Sequence, residues 1–281
     1  VEAGAVLGDI VGPLARGDSP DSEGPIAHNV VVLERVHRFG EDSAIAELSH
    51  AVRSGDSDRA VEVLEDSDNS EVEWIRPGQP ALEELRSLVL DSAAEVVTAA
   101  MDGDASAALE RAGELKVLCG TRFGPLGSHA WRDHIEARLP GLVPGLRTDR
   151  RWYVGRPVIV TANDYIARVF NGDTGVVVDR DGVPAVTMAT TEGVRSLVPS
   201  QLASTDTWWS MTIHKSQGSE FDHVVVSLPE ATSRVLTNEL LYTGITRGKK
   251  RVTVVATEDA LRAAIERPVA RASGLGTRLW S

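Results

Sequence analysis

Only one cysteine, Cys119, occurs in 281 residues. That excludes an internal disulfide framework and fits a reducing cytoplasm. Its place in the apolar run VLCG predicts a small buried side chain. Long apolar runs are also missing. None approaches the ~18 residues of a membrane span, and no basic region followed by an apolar core opens the chain, so neither a membrane helix nor a signal peptide is expected. The phosphate loop GxxxxGK[ST] does not occur either. Gly-Lys is found only at Gly248-Lys249, followed by a second Lys. No loop of that kind can therefore cradle nucleotide phosphates on backbone N–H groups. No second His, Cys or carboxylate stands at ligand spacing from His214, which argues against a metal site. Neither a clustered Asp/Glu/Lys set of the kind a nuclease uses nor an internal repeat is present.

What is there is ordinary in composition and uneven in charge. Hydrophobic residues make up 42% and charged residues 25%, as in a soluble globular protein, with a net charge of −12. Residues 1–110 hold 24 acidic and 7 basic residues, 111–205 hold 9 and 12, and 206–281 hold 8 and 10. The excess of negative charge is thus confined to the first part. Screening limits electrostatic reach to roughly 8–10 Å at physiological salt, so local rather than net charge governs binding to an anionic strand.

The hydrophobic pattern divides the chain. A loop rich in Gly, Pro and Asp (12–25) precedes the apolar run at 30–36, which reads as a buried strand. Helical spacing follows at 42–53, 56–65, 80–101 and 104–112, with breaks at 67–72 and 76–78. A strand at 114–121 and an amphipathic helix at 129–139 lead to a hinge at 139–150. Short β-rich pieces with Asn-Gly, Asp-Gly and Gly turns then indicate hairpins and a small antiparallel barrel. Beyond 206, strands at 222–229 and 251–257 alternate with helices at 236–247 and 258–268. Alternating apolar strands and helices predict an α/β fold with a parallel sheet covered on both faces.

Two blocks carry the chemistry: MTIHKSQGSEFDHVVV (211–226) and LLYTGITRGKKRVTVV (240–255). Each sets a polar, Gly-containing loop beside an apolar β-rich run. The first resembles motif V and the second motif VI of superfamily 1 helicases. The wording is most similar to the RecD branch, the alpha subunit of exodeoxyribonuclease V. GRPVIVTAND (155–164) and the tail at 266–281 are also similar to that family, and VEAGAVLGDI (1–10) resembles its stretch just after motif III.

The resemblance implies a RecA-like motor domain with an inserted SH3-like barrel. Residues 1–27 would end the first RecA-like domain, 28–146 and 206–281 would form the second, and 147–205 the β insertion. The ATP-binding half is expected upstream of Val1. The resemblance further implies an ATP- and Mg²⁺-dependent 5′→3′ DNA helicase acting with RecB and RecC in double-strand-break repair and recombination, in the cytoplasm and on single-stranded DNA. Arg247 and Arg38 take the roles of arginines facing the transferring phosphate. A guanidinium suits that task because it is always charged and its fork matches phosphate geometry. Gln217, Gly218 and Glu220 would meet nucleotide. Thr212, His214, Lys215, Ser216, Asn163 and Thr246 would meet DNA, with hydroxyl and amine donors for backbone phosphates. Residue types alone leave other readings open. These are a non-catalytic DNA-binding or adaptor module and a Pif1- or relaxase-type helicase. Trp208 and Trp209 are expected to pack, one of them filling the seam between insert and motor. Tyr165 and Phe170 could pack in a core or meet bases.

Overall fold

The computed structural model describes residues 43–268 except 67, 181, 191 and 192, together with 10 and 278. The expected strand at 30–36, Arg38, nearly all of 1–27 and most of the C-terminal tail lie outside the described residues.

Seven helices and ten strands are described in this region: α1 (Ala44–Ser54), α2 (Ser57–Glu65), β1 (Val72–Ile75), α3 (Pro80–Met101), α4 (Ala105–Glu114), β2 (Leu115–Cys119), α5 (Ser128–Leu142), β3 (Pro157–Val160), β4 (Thr174–Arg180), β5 (Val183–Thr190), β6 (Gly193–Leu197), β7 (Thr205–Thr207), β8 (Ser210–Thr212), β9 (Phe221–Ser227), α6 (Asn238–Ile245), β10 (Gly248–Val255) and α7 (Glu258–Glu266).

Five strands, in the order β1-β10-β9-β2-β8, form one sheet, and every adjacent pair runs parallel. Successive strand residues point to opposite faces. In β9 Val224, Val225 and Val226 are all fully buried, so both faces are covered, as a parallel sheet flanked by helices requires. The longest helix, α3, begins with Pro80 at its first position, where a missing N–H costs nothing. It buries Leu82, Leu85, Val89, Ala93, Val96, Val97 and Ala100 at helical spacing and packs on α4 and α5. Side-chain caps hold several helix starts: Asp56 accepts from Arg59 N–H, Asp104 from Ala107 N–H, and Thr257 from Ala260 N–H.

Between β2 and β8 in sequence lies a second five-stranded sheet, β6-β5-β4-β3-β7, with all neighbours antiparallel. Its two faces enter different cores. Ile159, Val176 and Val178 join the main core beside Trp208 and Trp209, while Val158, Val160, Val177 and Val186 pack with Met188, Leu197 and Leu202. The period-2 alternation of these strands is therefore read by two apolar surroundings. At the seam, Tyr153 Oη donates to Glu136 at 2.9 Å and accepts from Trp209 Nε1 at 2.7 Å. The buried Arg156 donates to Thr207 Oγ1 at 2.8 Å and to the Arg151 carbonyl at 2.7 Å. Gly155 approaches α3 so closely that a Cβ would stand 2.6 Å from Val97 Cα, and its φ is +85°.

Several expectations need correction. Between the breaks expected at 67–72 and 76–78 lies an unexpected strand, β1, which takes in Val72 from the first break and pairs with β10. Its four residues include Glu73, and turn residues flank it, so no periodicity could develop. Helix α5 runs past the expected start of the hinge to Leu142, with Pro140 near its end. The small antiparallel sheet has its strand pairings end at β6 and β7. Trp208 and Trp209 both pack, as expected, and both are buried beside the inserted sheet. Tyr165 is not a core residue. It is 76% exposed and meets the ring of Phe170 edge-on at 6.0 Å. Cys119 is fully buried, and burial pushes its thiol pKa up, which leaves it unreactive.

Candidate nucleotide and nucleic-acid site

The first block leaves the sheet at the end of β8 and turns at once. Residues Ile213–Ser216 form one short 3₁₀ helix, and Gly218, with φ +89°, reverses the chain toward β9. That positive φ is strained for any residue with a Cβ. The second block forms α6, whose end delivers Thr246 and Arg247 before β10. Because β9 and β10 are adjacent, the two polar loops emerge side by side.

Arg247 joins them. Its Nε donates to the Thr243 carbonyl at 3.1 Å and its Nη1 to the Ser219 carbonyl at 3.2 Å. In return, Phe221 N–H donates to the Arg247 carbonyl at 2.9 Å. Glu220 is exposed beside Arg247, with Lys249 Nζ 3.7 Å from its carboxylate. Gln217 and Gly218 are exposed on the same turn.

The residues expected to meet DNA divide into three groups. Thr212, His214 and Lys215 line or top the turn, His214 exposed and the other two half-buried. Ser216 is fully buried, and its hydroxyl donates to the Ile213 carbonyl at 2.7 Å, so it builds the turn and has no surface to offer a phosphate. Thr246 is also buried, with its hydroxyl donating to the Tyr242 carbonyl at 2.8 Å. Asn163 lies elsewhere, in the loop between β3 and β4. There its side-chain oxygen accepts from Asn171 N–H at 2.9 Å and closes the Asn171-Gly172 turn. The 212–220 loop and Arg247 come together; Asn163 belongs to the other sheet. Arg38 lies outside the described residues.

Sequence reading missed Asp206. From edge strand β7 its carboxylate accepts from Lys215 Nζ at 3.0 Å, and that contact lowers the Asp206 pKa against the opposing effect of burial. An acidic residue immediately before the block, beside a Lys in it, was the available signal. Lys116 was missed as well. It is 2% exposed on β2, its ammonium 3.7 Å from the centroid of the Trp208 ring, and it donates to the Trp208 carbonyl at 3.0 Å. Burial lowers its pKa to about 7. Among the described residues no group of three His, Cys, Asp or Glu could hold a metal ion, and no helix is long and apolar enough to cross a membrane.

With this geometry in view, the comparisons are specific. The family model described as the UvrD-like helicase C-terminal domain matches residues 207–255, the span of both loops. The RecBCD enzyme subunit RecD of Mycolicibacterium smegmatis is 42% identical over 99% of this chain and 47% of its own length. The RecD subunit of Haemophilus influenzae is 30% identical over 99% of this chain and 48% of its own. The ATP-dependent RecD2 DNA helicase of Deinococcus radiodurans is 32% identical over 50% of this chain and 19% of its own. The chain spans about half the length of the curated relatives it matches over its whole extent.

Proposed function

The chain belongs to the RecD family, as the C-terminal portion of a RecD-type helicase, and from that premise we propose that it brings Arg247 to the transferring phosphate of ATP and holds single-stranded DNA on the 212–217 turn. The observation that carries this reading is the hydrogen bond from Arg247 to the Ser219 carbonyl, 3.2 Å long, which ties the phosphate-facing arginine to the loop proposed to grip the strand. In a motor, nucleotide state and grip must change together. An arginine bonded to the grip loop is a direct mechanical link between them.

In the whole subunit, ATP and Mg²⁺ would be held mainly by a phosphate loop and acidic residues that this sequence does not contain. No step involving the metal can be built from the residues here. Glu220 and Gln217 suit nucleotide contacts at the rim, since a carboxylate can accept from a ribose hydroxyl and an amide can both donate and accept. Thr212, His214 and Lys215 suit sequence-independent contact with the backbone, because the donors address phosphate and not base edges. On this reading residues 28–146 and 206–281 make the second RecA-like domain, and 147–205 are an SH3-like insertion. The subunit works in the cytoplasm with RecB and RecC, moving 5′→3′. The similarity that covers 99% of this chain is to RecD subunits, which favours this over a Pif1-type assignment.

The test is ATP turnover and strand binding by the isolated chain. Salt-dependent binding of single-stranded DNA without hydrolysis supports the reading. DNA-stimulated hydrolysis by the pure chain overturns the division of the ATP site, and failure to bind any single strand overturns the grip.

A further inference from the structure

A cleft opens where the start of α5 meets the end of β8 and edge strand β7. It is lined by Arg122, His129, Arg132, Thr212, Lys215 and Asp206, among others. Lys215 is paired with Asp206, and Arg132 with Asp133 at 2.7 Å. Arg122 is exposed and enters no ion pair among the described residues. Beside it Phe123 is 73% exposed, its ring edge-on to that of His129 at 4.8 Å. A guanidinium with no ion pair among the described residues and a paired ammonium therefore line one opening continuous with the 212–217 turn, and a solvent-facing aromatic ring stands next to it against His129 of the lining.

We propose that this cleft takes one nucleotide of the single strand held on that turn, with a backbone phosphate on Arg122 and Lys215, a base against Phe123, and Asp206 as the group the phosphate displaces. The inference rests on the reading of the turn as the strand grip. The chemistry selects nucleic acid over a protein ligand. Phosphate is the ligand that matches a free guanidinium beside an ammonium, and a base is the flat partner an exposed ring can stack on without sequence preference. Asp206 opposes any anion in the cleft. Without a strand it neutralises Lys215; with one, the phosphate must take its place. The edge of the inserted sheet thereby senses whether the grip is filled.

The experiment is fluorescence anisotropy of a labelled oligo-dT with the full 281-residue chain over a range of salt concentrations. Arg122→Ala is expected to weaken binding and lower the salt slope by about 0.7, as expected for one lost phosphate contact on a single strand. Phe123→Ala is expected to weaken binding about 5- to 150-fold at unchanged slope, as for one lost stacking contact. Asp206→Asn is expected to tighten binding. All three side chains are at least partly exposed, and thermal melting checks that each variant is folded. Lys215→Ala separates the two proposals. If it weakens binding while Arg122→Ala and Phe123→Ala bind like wild type, the cleft is overturned and the grip stands. If wild type binds no oligo-dT, both fall.

Discussion

Arg247 donates from Nη1 to the carbonyl of Ser219 at 3.2 Å, so the arginine of one loop is anchored on the backbone of the other. With Nε donating to the Thr243 carbonyl at 3.1 Å as well, the guanidinium is fixed where the two loops meet. A guanidinium held in a fixed position is what an arginine proposed to serve a phosphate from a facing domain requires.

Arg247→Ala in the whole subunit is expected to lower ATP hydrolysis by about 10³–10⁵-fold, the range for loss of an arginine serving a transferring phosphate. Strand affinity without nucleotide should remain within a few-fold. Arg247→Lys should also be impaired, because an ammonium lacks the fork. Steady-state turnover together with nucleotide-free strand binding checks both. Near-normal turnover in Arg247→Ala would move the role to Arg38 or another arginine.

Ser216 and Lys215 are neighbours in sequence with different tasks. Ser216→Ala removes a buried hydroxyl that donates to Ile213 and should cost about 1 kcal/mol of stability. It should leave the salt slope of strand binding unchanged. Lys215→Ala combined with His214→Ala should weaken binding equally for all sequences and lower the slope by about 0.7. Denaturation curves and salt titrations on mixed oligonucleotides separate the two. A changed sequence preference at constant slope would indicate base readout instead.

Lys116 makes stability depend on pH. An unfolded lysine keeps its proton to about pH 10.4, whereas burial brings the folded value to about 7. Between those values the unfolded chain binds more protons, so stability rises with pH across the window. Below it both states are protonated and the full cost of burying the charge applies; above it neither is. The cation–π contact with Trp208 offsets part of that cost. Lys116→Met should flatten the rise, which urea unfolding at about pH 6, 8 and 9.5 would reveal. Equal slopes in variant and wild type would mean that Lys116 keeps an ordinary pKa.

Gly155→Ala should destabilise by more than about 2 kcal/mol, since a positive φ and overpacking against α3 act together. The added methyl would meet Val97 Cα at 2.6 Å, which is backbone and cannot swing aside. Gly78→Ala is the control: its φ is also positive, at +88°, but nothing stands within 4 Å of the added carbon. The difference between the two melting temperatures reads the packing part alone. Equal losses would mean that α3 shifts to accommodate the methyl.

Much of this architecture was legible in advance. Helix α3 was visible over its full length because Leu82, Leu85, Leu88 and Val89 repeat at helical spacing, although Leu88 proves exposed. The β9 run and the Asn171-Gly172 turn were equally plain. β1 was hidden because four residues carry no measurable period, and its strand character depends on β10, whose paired residues stand 180 positions further along the chain. The polar residues of the 212–217 turn were legible as a set but not individually. Ser216 faces inward and Lys215 toward Asp206, and the side-chain directions of a 3₁₀ turn cannot be read from composition.

The sequence by itself determined the local elements, the two loops and the family they belong to, because periodicity, turn chemistry and motif wording are short-range properties. Only the tertiary structure decided which charges meet. Lys116 looks like an ordinary polar residue in a strand until Trp208, 92 residues away, covers it. Lys215 looks like a free donor until the edge of the inserted sheet brings Asp206 to 3.0 Å. Burial and ion pairing depend on distance in space, and that distance is set when the parallel and antiparallel sheets pack together.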